Sequence, residues 1–265
     1  MLNRIARNVL LLASVALPSG AWAQGFVMER GEGRVIVTGI YSHSSKQFDD
    51  DGDVIDIMDY RQAQIYLNGE YGLTDDLTLL LTPSFRDISI DDRPERDETG
   101  FQFVDIGARY RVAHIGNTHF SVQAKVRIPA DTFRDELAQV SIEGTAYDFR
   151  GQIGHGFQMG GKDAFIIGDA GYTVREDDPP NEIHADVIFG YRPAPRVLLL
   201  ANLYNTFSDG EGRNGFPDYR YHNLFLSGVY DINDTVSLHL GGLMTVDGEN
   251  ALRERGLLLG AWLHF

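Results

Sequence analysis

Apolar and polar residues alternate through most of the chain between residues 33 and 265. Successive side chains of an extended chain point to opposite faces, so a period of two indicates β-strands. Ile65 and Leu67, for example, share one face of a segment whose other face carries Gln62 and Gln64. The pattern predicts twelve strands, and no stretch shows convincing helical periodicity.

The connections between these strands fall into two kinds. Five are short, at 74–76, 114–118, 160–162, 192–196 and 231–235. Five are mostly longer, polar and acidic, at 46–58, 91–98, 131–141, 176–181 and 208–218. Short and long connections alternate, apart from a short last hairpin at 247–250, as in barrels with turns on one membrane side and loops on the other. The sequence therefore predicts an all-β fold, a transmembrane antiparallel up-and-down β-barrel of about 12 strands.

Strand length supports a membrane barrel over a soluble sheet. The apolar faces extend over roughly 9 to 11 residues, which a tilted strand needs to cross a bilayer, whereas soluble strands average about 5 or 6. Alternation alone also fits a soluble periplasmic β-protein with its apolar face inward, which remains an alternative. Pro83 lies inside the third strand and cannot donate to the ladder, so we expect a bulge or a local break there.

The first residues have the features of a secretory signal peptide. Two arginines precede an apolar core at 9–17, and a pair of small residues ends at Ala23, as in exported precursors. The core is shorter than the roughly 20 residues of a membrane-spanning helix. We predict a signal peptide at 1–23 and one barrel domain at 24–265; an uncleaved anchor is the alternative.

Composition narrows the classes of partner. The chain has no cysteine and a formal net charge of -15. Such an acidic chain argues against nucleic acid as a partner. There is no phosphate-binding loop, dinucleotide fingerprint or zinc spacing, so the sequence predicts no cofactor and no metal site.

The candidate chemistry lies on the strand faces opposite the apolar ones. If the apolar faces meet lipid, charged residues line the interior, with bases mostly on one arc and acids on the next. The pore-lining candidates are Arg86, Asp105, Arg109, Arg111, Lys125, Arg127, Asp148, Arg150, Asp169, His184 and Asp186. They either pair and fill the interior or stay hydrated and set the solute preference of a narrow channel. Twelve strands lie between the filled barrels of 8 strands and the open ones of 16.

Two further features have a functional and a simpler interpretation. The acidic stretch 49–56 resembles the start of a calcium loop, but residue 60 is a tyrosine where the loop needs glutamate. It is a solvated loop or a collector of divalent ions beside lipopolysaccharide. His43 and Ser45 share a strand face near the rim, as in a lipid hydrolase, but no third catalytic residue is identifiable. We therefore predict that the protein is not an enzyme.

Three stretches resemble a known group of proteins. The run EYGLTDDLTLLLTPSF at 70–85 and the segment 31–53 are similar to the putative outer-membrane porins associated with the phenol-degradation meta pathway and to related surface barrels. The resemblance covers these two stretches and the last nine residues. It implies a barrel that passes hydrophobic or aromatic compounds, whereas the interior predicted here is charged.

The end of the chain resembles the signal that the barrel assembly machinery recognises. Its apolar face consists of Leu259, Ala261, Leu263 and Phe265. We therefore expect a location in the bacterial outer membrane of a Gram-negative cell, with membrane lipid, lipopolysaccharide and the assembly machinery as partners.

The sequence as a whole predicts a porin-like channel for passive passage of small solutes. The alternatives are a closed structural or surface-interaction barrel and, third, a rim hydrolase acting on lipid.

Overall fold

A computed structural model of the chain describes residues 26–91, 98–130 and 144–265. The predicted signal peptide and most of the predicted loops at 91–98 and 131–141 lie outside the described residues. A turn of 3₁₀ helix spans Arg213–Gly215. The strands in chain order are β1 (Gly33–Phe48), β2 (Val54–Thr74), β3 (Leu77–Ile90), β4 (Glu98–Ile115), β5 (Thr118–Pro129), β6 (Ala146–Met159), β7 (Lys162–Arg175), β8 (Glu182–Ala194), β9 (Val197–Ser208), β10 (Arg220–Asp231), β11 (Val236–Glu249), β12 (Ala251–Leu252) and β13 (Arg255–His264).

Twelve of these strands form a closed antiparallel barrel. Strands β1 to β10 each pair with the next along the chain, β11 pairs with β13, and β13 returns to β1. The two-residue β12 pairs with the end of β1 outside this ring. At the seam, Gly33 and Phe265 exchange backbone hydrogen bonds of 2.8 and 3.0 Å. The predicted all-β, twelve-stranded up-and-down barrel is confirmed.

The five short connections are confirmed as tight turns at one end of the barrel. The turn between β6 and β7 consists of Gly160 and Gly161 with φ of +59° and +73°. A two-residue hairpin whose twist matches its strands needs positive φ at both positions, which glycine adopts without a steric penalty. This end is called the short-turn end below, and the opposite end is the long-loop end.

The structure corrects two predictions at the long-loop end. The strands β1 and β2 continue into the predicted loop 46–58, since Lys46 pairs with Asp56, and only 49–53 connects them. The predicted short hairpin at 247–250 is wrong, because the short strand β12 lies between β11 and β13. In the segment that contains β12, Arg253 N donates to Lys46 O at 3.0 Å, so the end of β1 gains a further hydrogen-bond partner.

The expected disturbance at Pro83 is confirmed. The ladder between β2 and β3 is interrupted between the pairs Tyr66–Ser84 and Gly69–Leu81. The ladder between β3 and β4 shifts register directly after Ser84. A proline without an N–H accounts for the missing rungs.

The barrel is apolar outside and polar inside. Side chains such as Ile65 and Leu240 are exposed on the outer wall, whereas Gln64, Ser42 and Thr78 are buried in the interior. A soluble barrel has the opposite arrangement, so the soluble alternative is contradicted. Exposed apolar walls around a closed sheet are those of a β-barrel in lipid.

Aromatic side chains mark one boundary of this apolar belt. Tyr71, Tyr110 and Tyr230 are exposed on the outer wall close to the short turns. Tyrosines at this level form the interfacial girdles of outer-membrane barrels. No helix of the described residues is long and apolar enough to cross a membrane.

Candidate functional site

The lumen of the barrel has two halves of different character. The short-turn half contains an apolar cluster together with residues 26–32, which enter the barrel ahead of β1. The long-loop half contains networks of charged side chains. In outer-membrane barrels the short turns face the periplasm and the long loops face outside.

The apolar cluster fills one side of the short-turn half. All its members are buried to 9% exposure or less. They are Ile36, Phe165, Ile167, Ile188, Leu198, Leu200, Val229 and Trp262. The period-two pattern did not predict this cluster, because Ile188 lies on the same strand face as His184 and Asp186. The signal was the consecutive apolar residues in β7 and β9, since a strand that is apolar on both faces is buried on both faces.

Residues 26–32, here called the N-terminal strap, cross the short-turn half from β2 to β6. Phe26 packs edge-on against His119 and Phe165, with ring centroids 5.0 and 6.3 Å apart. Met28 N donates to Thr78 Oγ1 at 2.8 Å. At the other end Gly31 N donates to Gly72 O at 2.8 Å.

A buried ionic group lies beside the N-terminal strap. Glu70 accepts from Arg34 and, at 3.2 Å, from Arg109 Nη1. Arg109 also donates from Nη1 to the strap carbonyl Phe26 O at 3.1 Å and from Nη2 to Gln123 Oε1 at 3.0 Å. These groups are almost inaccessible to water. Their pairing therefore offsets the free-energy cost of burying charge, and they present no hydrated charged surface to the lumen.

Arg150 is the centre of the first network in the long-loop half. Its guanidinium lies 2.9 Å from Asp148, 3.0 Å from Asp169 and 2.9 Å from Asp186. The three carboxylates come from β6, β7 and β8, whose aligned registers place them on one wall. Gln152 Nε2 adds a hydrogen bond of 2.6 Å to Asp169.

Asp105 is the centre of the second network. It accepts two hydrogen bonds from Arg127, of 2.7 and 2.8 Å, and lies 3.6 Å from Lys125 Nζ. The Arg127 guanidinium also lies 3.8 Å from the centroid of the Phe103 ring. The side chains of Arg127 and Lys125 are 29% and 22% exposed, whereas that of Asp105 is 5% exposed. The bases are therefore partly exposed inside the barrel, whereas the acid is buried.

Two more candidates belong to separate groups. Arg86 is buried and donates from Nε to Gln62 Oε1 at 2.8 Å. His184 lies 3.0 Å from Thr173 Oγ1 and 3.4 Å from Glu182.

Arg111 lies at the short-turn rim, away from the two central networks. Its Nε donates to Asp76 Oδ1 at 2.8 Å. The structure thus joins most of the candidate acids and bases in pairs across neighbouring strands. The bases lie on β3 to β6 and the acids on β4 to β8, so the expected arcs overlap, and where they overlap Asp105 pairs in register with Arg127 and Lys125 with Asp148.

The other features singled out in the sequence lie elsewhere. His43 Nε2 is 3.5 Å from Asp59 Oδ1, both half-exposed, and Ser45 lies at a bulge of β1. No hydrogen bond between His43 and Ser45 occurs in the described part of the chain. In the acidic loop, the Asp49 carboxylate accepts from the backbone N–H groups of Asp51 and Asp53 at 3.1 and 2.8 Å. Residues 26–91, 98–130 and 144–265 contain no group of three potential metal ligands.

The predicted assembly signal lies on the outer wall. Leu259, Leu263 and Phe265 are exposed there, and the Leu259 side chain, at 65%, is among the most exposed large apolar residues. The opposite face of β13 carries Trp262, which is buried in the lumen.

Comparison with known proteins establishes the fold. An outer membrane channel from Pseudomonas putida F1 superimposes with a TM-score of 0.72 at 17% identity, over 92% of this chain and 99% of that chain. The NanC porin superimposes with a TM-score of 0.54 at 9% identity, over 86% of this chain and 98% of that chain. No protein-family profile and no curated protein matches the sequence. The chain is thus a bacterial outer-membrane barrel by fold, and its location in the outer membrane follows from this fold and from its apolar outer wall.

Proposed function

We propose that the protein is a passive channel for small polar or charged solutes. The observation that carries the proposal is the long-loop half of the lumen, where Lys125, Arg127 and Arg150 stay 22%, 29% and 17% exposed inside a closed barrel. Hydrated charged side chains that line a membrane-spanning lumen set solute preference in channels.

The interior chemistry supports a polar solute rather than an apolar one. The long-loop half presents guanidinium, ammonium and carboxylate groups, and the apolar side chains of the short-turn half are packed against each other. The structurally similar proteins from Pseudomonas putida F1 and the NanC porin are described as a channel and a porin, which agrees with the proposal.

Conductance of the purified barrel in a planar lipid bilayer tests the proposal. We expect discrete current steps under an applied voltage. The matched control is the same preparation heated until the barrel unfolds, which should give none. Absence of current from the folded protein at every voltage contradicts the channel function.

A closed structural or surface-interaction barrel is the second candidate. The packed apolar cluster and the N-terminal strap in the short-turn half favour it, because both narrow the lumen. It predicts no current and no uptake of small sugars or salts into liposomes that contain the protein.

We propose no catalytic role for His43 and Ser45. Ser45→Ala should leave any lipid hydrolysis by the preparation unchanged. Loss of such an activity would make Ser45 a nucleophile and overturn this assignment.

We also propose that the face formed by Leu259, Ala261, Leu263 and Phe265 is recognised by the barrel assembly machinery. Phe265→Asp should lower the amount of folded protein in the outer membrane. Leu257→Asp, at an equally exposed position of the same face but further from the chain end, is the matched control. Equal loss for both variants would assign the effect to lipid contact instead.

The long-loop end is proposed to contact lipopolysaccharide, with divalent ions between its phosphates and the acidic loop at 49–53. Removal of divalent ions should then weaken lipopolysaccharide binding by the wild type more than by Asp51→Asn. An equal effect on both proteins would contradict a role for Asp51.

A further inference from the structure

The N-terminal strap crosses the short-turn end of the lumen without joining the barrel sheet as a strand. It passes from the wall at β2, near Gly72, to the wall at β6, near Gly154. It thus occupies part of the lumen between the long-loop half and the short turns. Its attachments therefore affect how wide that end of the lumen is.

One end of the strap is firmly fixed. Gly31 N donates to Gly72 O at 2.8 Å, and Gly72 N donates to Glu32 O at 2.9 Å. A side chain at Gly72 would place its Cβ 1.9 Å from Glu29 O, so this approach requires glycine. Gly31 itself has φ of +85° and no neighbouring atom within 4 Å of a hypothetical Cβ. Glycine adopts this conformation without strain, so the strap can turn at Gly31 once the hydrogen bond from Gly31 N to Gly72 O breaks.

The other end of the strap is held in part by the aromatic ring of Phe26. The Phe26 ring lies over Gly154, where an added Cβ would be 2.8 Å from the ring. His119 and Phe165 contact its edges. We call this arrangement the socket of Phe26. Gly154 leaves space for the ring because it has no side chain, and the rings of His119 and Phe165 line that space in edge-to-face geometry.

The strap between hinge and socket is tied by few polar contacts. They include the 2.8 Å bond from Met28 N to Thr78 Oγ1 and the 3.3 Å bond from Arg30 N to Asp75 Oδ1. Arg109, which donates to Phe26 O, is also paired with Glu70 and keeps that partner if the strap leaves. Release of the strap therefore exposes no unpaired charge, which would be the main energetic obstacle.

There is room for the displaced segment. A cavity of about 350 Å³ adjoins the strap, lined among others by Phe26, Met28, His119 and His264. It is bounded by the β4–β5 turn at Gly116, which places it at the short-turn end.

We propose that the N-terminal strap is a gate of the channel, with Phe26 as its latch and Gly31 as its hinge. In the closed state the Phe26 ring occupies the socket over Gly154, and in the open state the strap swings out towards the short-turn end. The gate rests on the proposed channel function, because only a conducting barrel can be gated.

Two substitutions release the latch from opposite sides. Phe26→Ala removes the ring, and Gly154→Ala places a methyl group in its socket without changing the strap. Both should raise the mean open probability in planar bilayers several-fold. Gly151→Ala is the matched control on the same strand, because a Cβ there meets no atom within 4 Å. It should behave like the wild type.

A reversible cross-link tests the closed state directly. The chain has no cysteine, so the pair Met28→Cys and Thr78→Cys forms the one possible disulfide within a molecule. Oxidation should hold the strap against β3 and suppress the current, and a reducing agent should restore it. Each single-cysteine variant should not respond to either reagent.

The outcomes separate the gate from the channel. Current from the wild type that equals that of Phe26→Ala and Gly154→Ala, with no effect of oxidising the cysteine pair, overturns the gate and leaves the channel. Absence of current from every variant, including the reduced pair, overturns both. Folding of each variant is checked by the shift in gel mobility between unheated and heated samples.

Discussion

The two halves of the lumen both enclose polar backbone and side-chain groups, but they do so in different ways. The short-turn half packs apolar side chains against each other and contains a nearly dry ionic group formed by Arg34, Glu70 and Arg109. The long-loop half leaves the bases Lys125, Arg127 and Arg150 partly exposed inside the barrel. The first resembles the core of a soluble protein, and the second resembles a channel wall.

The difference shows that charge pairing alone does not reveal function. Arg109 and Arg127 each contact a carboxylate, at 3.2 and 2.7 Å. Only Arg127 is exposed to the lumen. In the proposed channel, solvent exposure of the base would therefore separate a group that acts on a solute from one that holds the barrel together.

The largest expected effect is the loss of Arg150 in the long-loop half. Arg150→Leu leaves three carboxylates next to each other with their shared cation gone. Breaking such a buried arrangement costs roughly 3 kcal/mol of unfolding free energy. Urea unfolding in detergent micelles, followed by tryptophan fluorescence, measures the change.

The matched variant in the short-turn half is Arg34→Leu. It should cost clearly less, because Glu70 keeps Arg109 and the new side chain joins the apolar cluster. An equal cost for both variants would contradict the assigned difference between the halves.

A core substitution should have the next largest effect. Leu198 is fully buried in the apolar cluster, so Leu198→Ala leaves a cavity and should cost about 2 to 3 kcal/mol. Leu199→Ala, one residue on and exposed on the outer wall, lacks the cavity term and should cost less. Thermal unfolding of both variants in the same lipid measures the difference. If both are equally destabilised, the short-turn half is not a packed core.

The smallest expected effect is on ion selectivity. Lys125→Gln removes an exposed positive charge and leaves the Arg127–Asp105 pair intact. The reversal potential under a salt gradient should shift towards cations, and more so at low ionic strength, because salt screens charges beyond roughly 8 Å at physiological concentration. Arg34→Gln, in the dry half, should not shift it. A shift of the same size for both would assign selectivity to the whole lumen.

The barrel itself could be predicted from the sequence because the patterns that determine its strands and turns are local in sequence. A period of two and the spacing of turn residues depend only on near neighbours along the chain, and both led to twelve strands with five short turns on one side. The break at Pro83 follows from one missing N–H. The errors at 46–58 and 247–250 arose at the long-loop end, where no regular alternation of buried and exposed faces marks the strand ends.

The lumen was less predictable because its contacts join strands that are distant in sequence. The residues on the polar faces of β3 to β8 could be identified, but pairing partners such as Asp105 with Arg127 depend on the register between strands. The apolar cluster was missed because inward Ile188 looks like an exception in a polar face until Ile167 and Leu200 are placed beside it. The socket of Phe26 has no sequence signal beyond Gly154, which lies in β6, far along the chain.

The seam between β1 and β13 has a consequence for how the barrel forms. Most contacts in the sheet join neighbouring hairpin strands, as for Arg86 and Gln62, which are 24 residues apart. Across the seam Ser42 and Glu254 are 212 residues apart. The entropic cost of bringing chain segments together rises with the length of the loop between them. We therefore expect the hairpins to zip up in order and the seam to close last, so that the rate of folding is set by the meeting of Gly33 with Phe265.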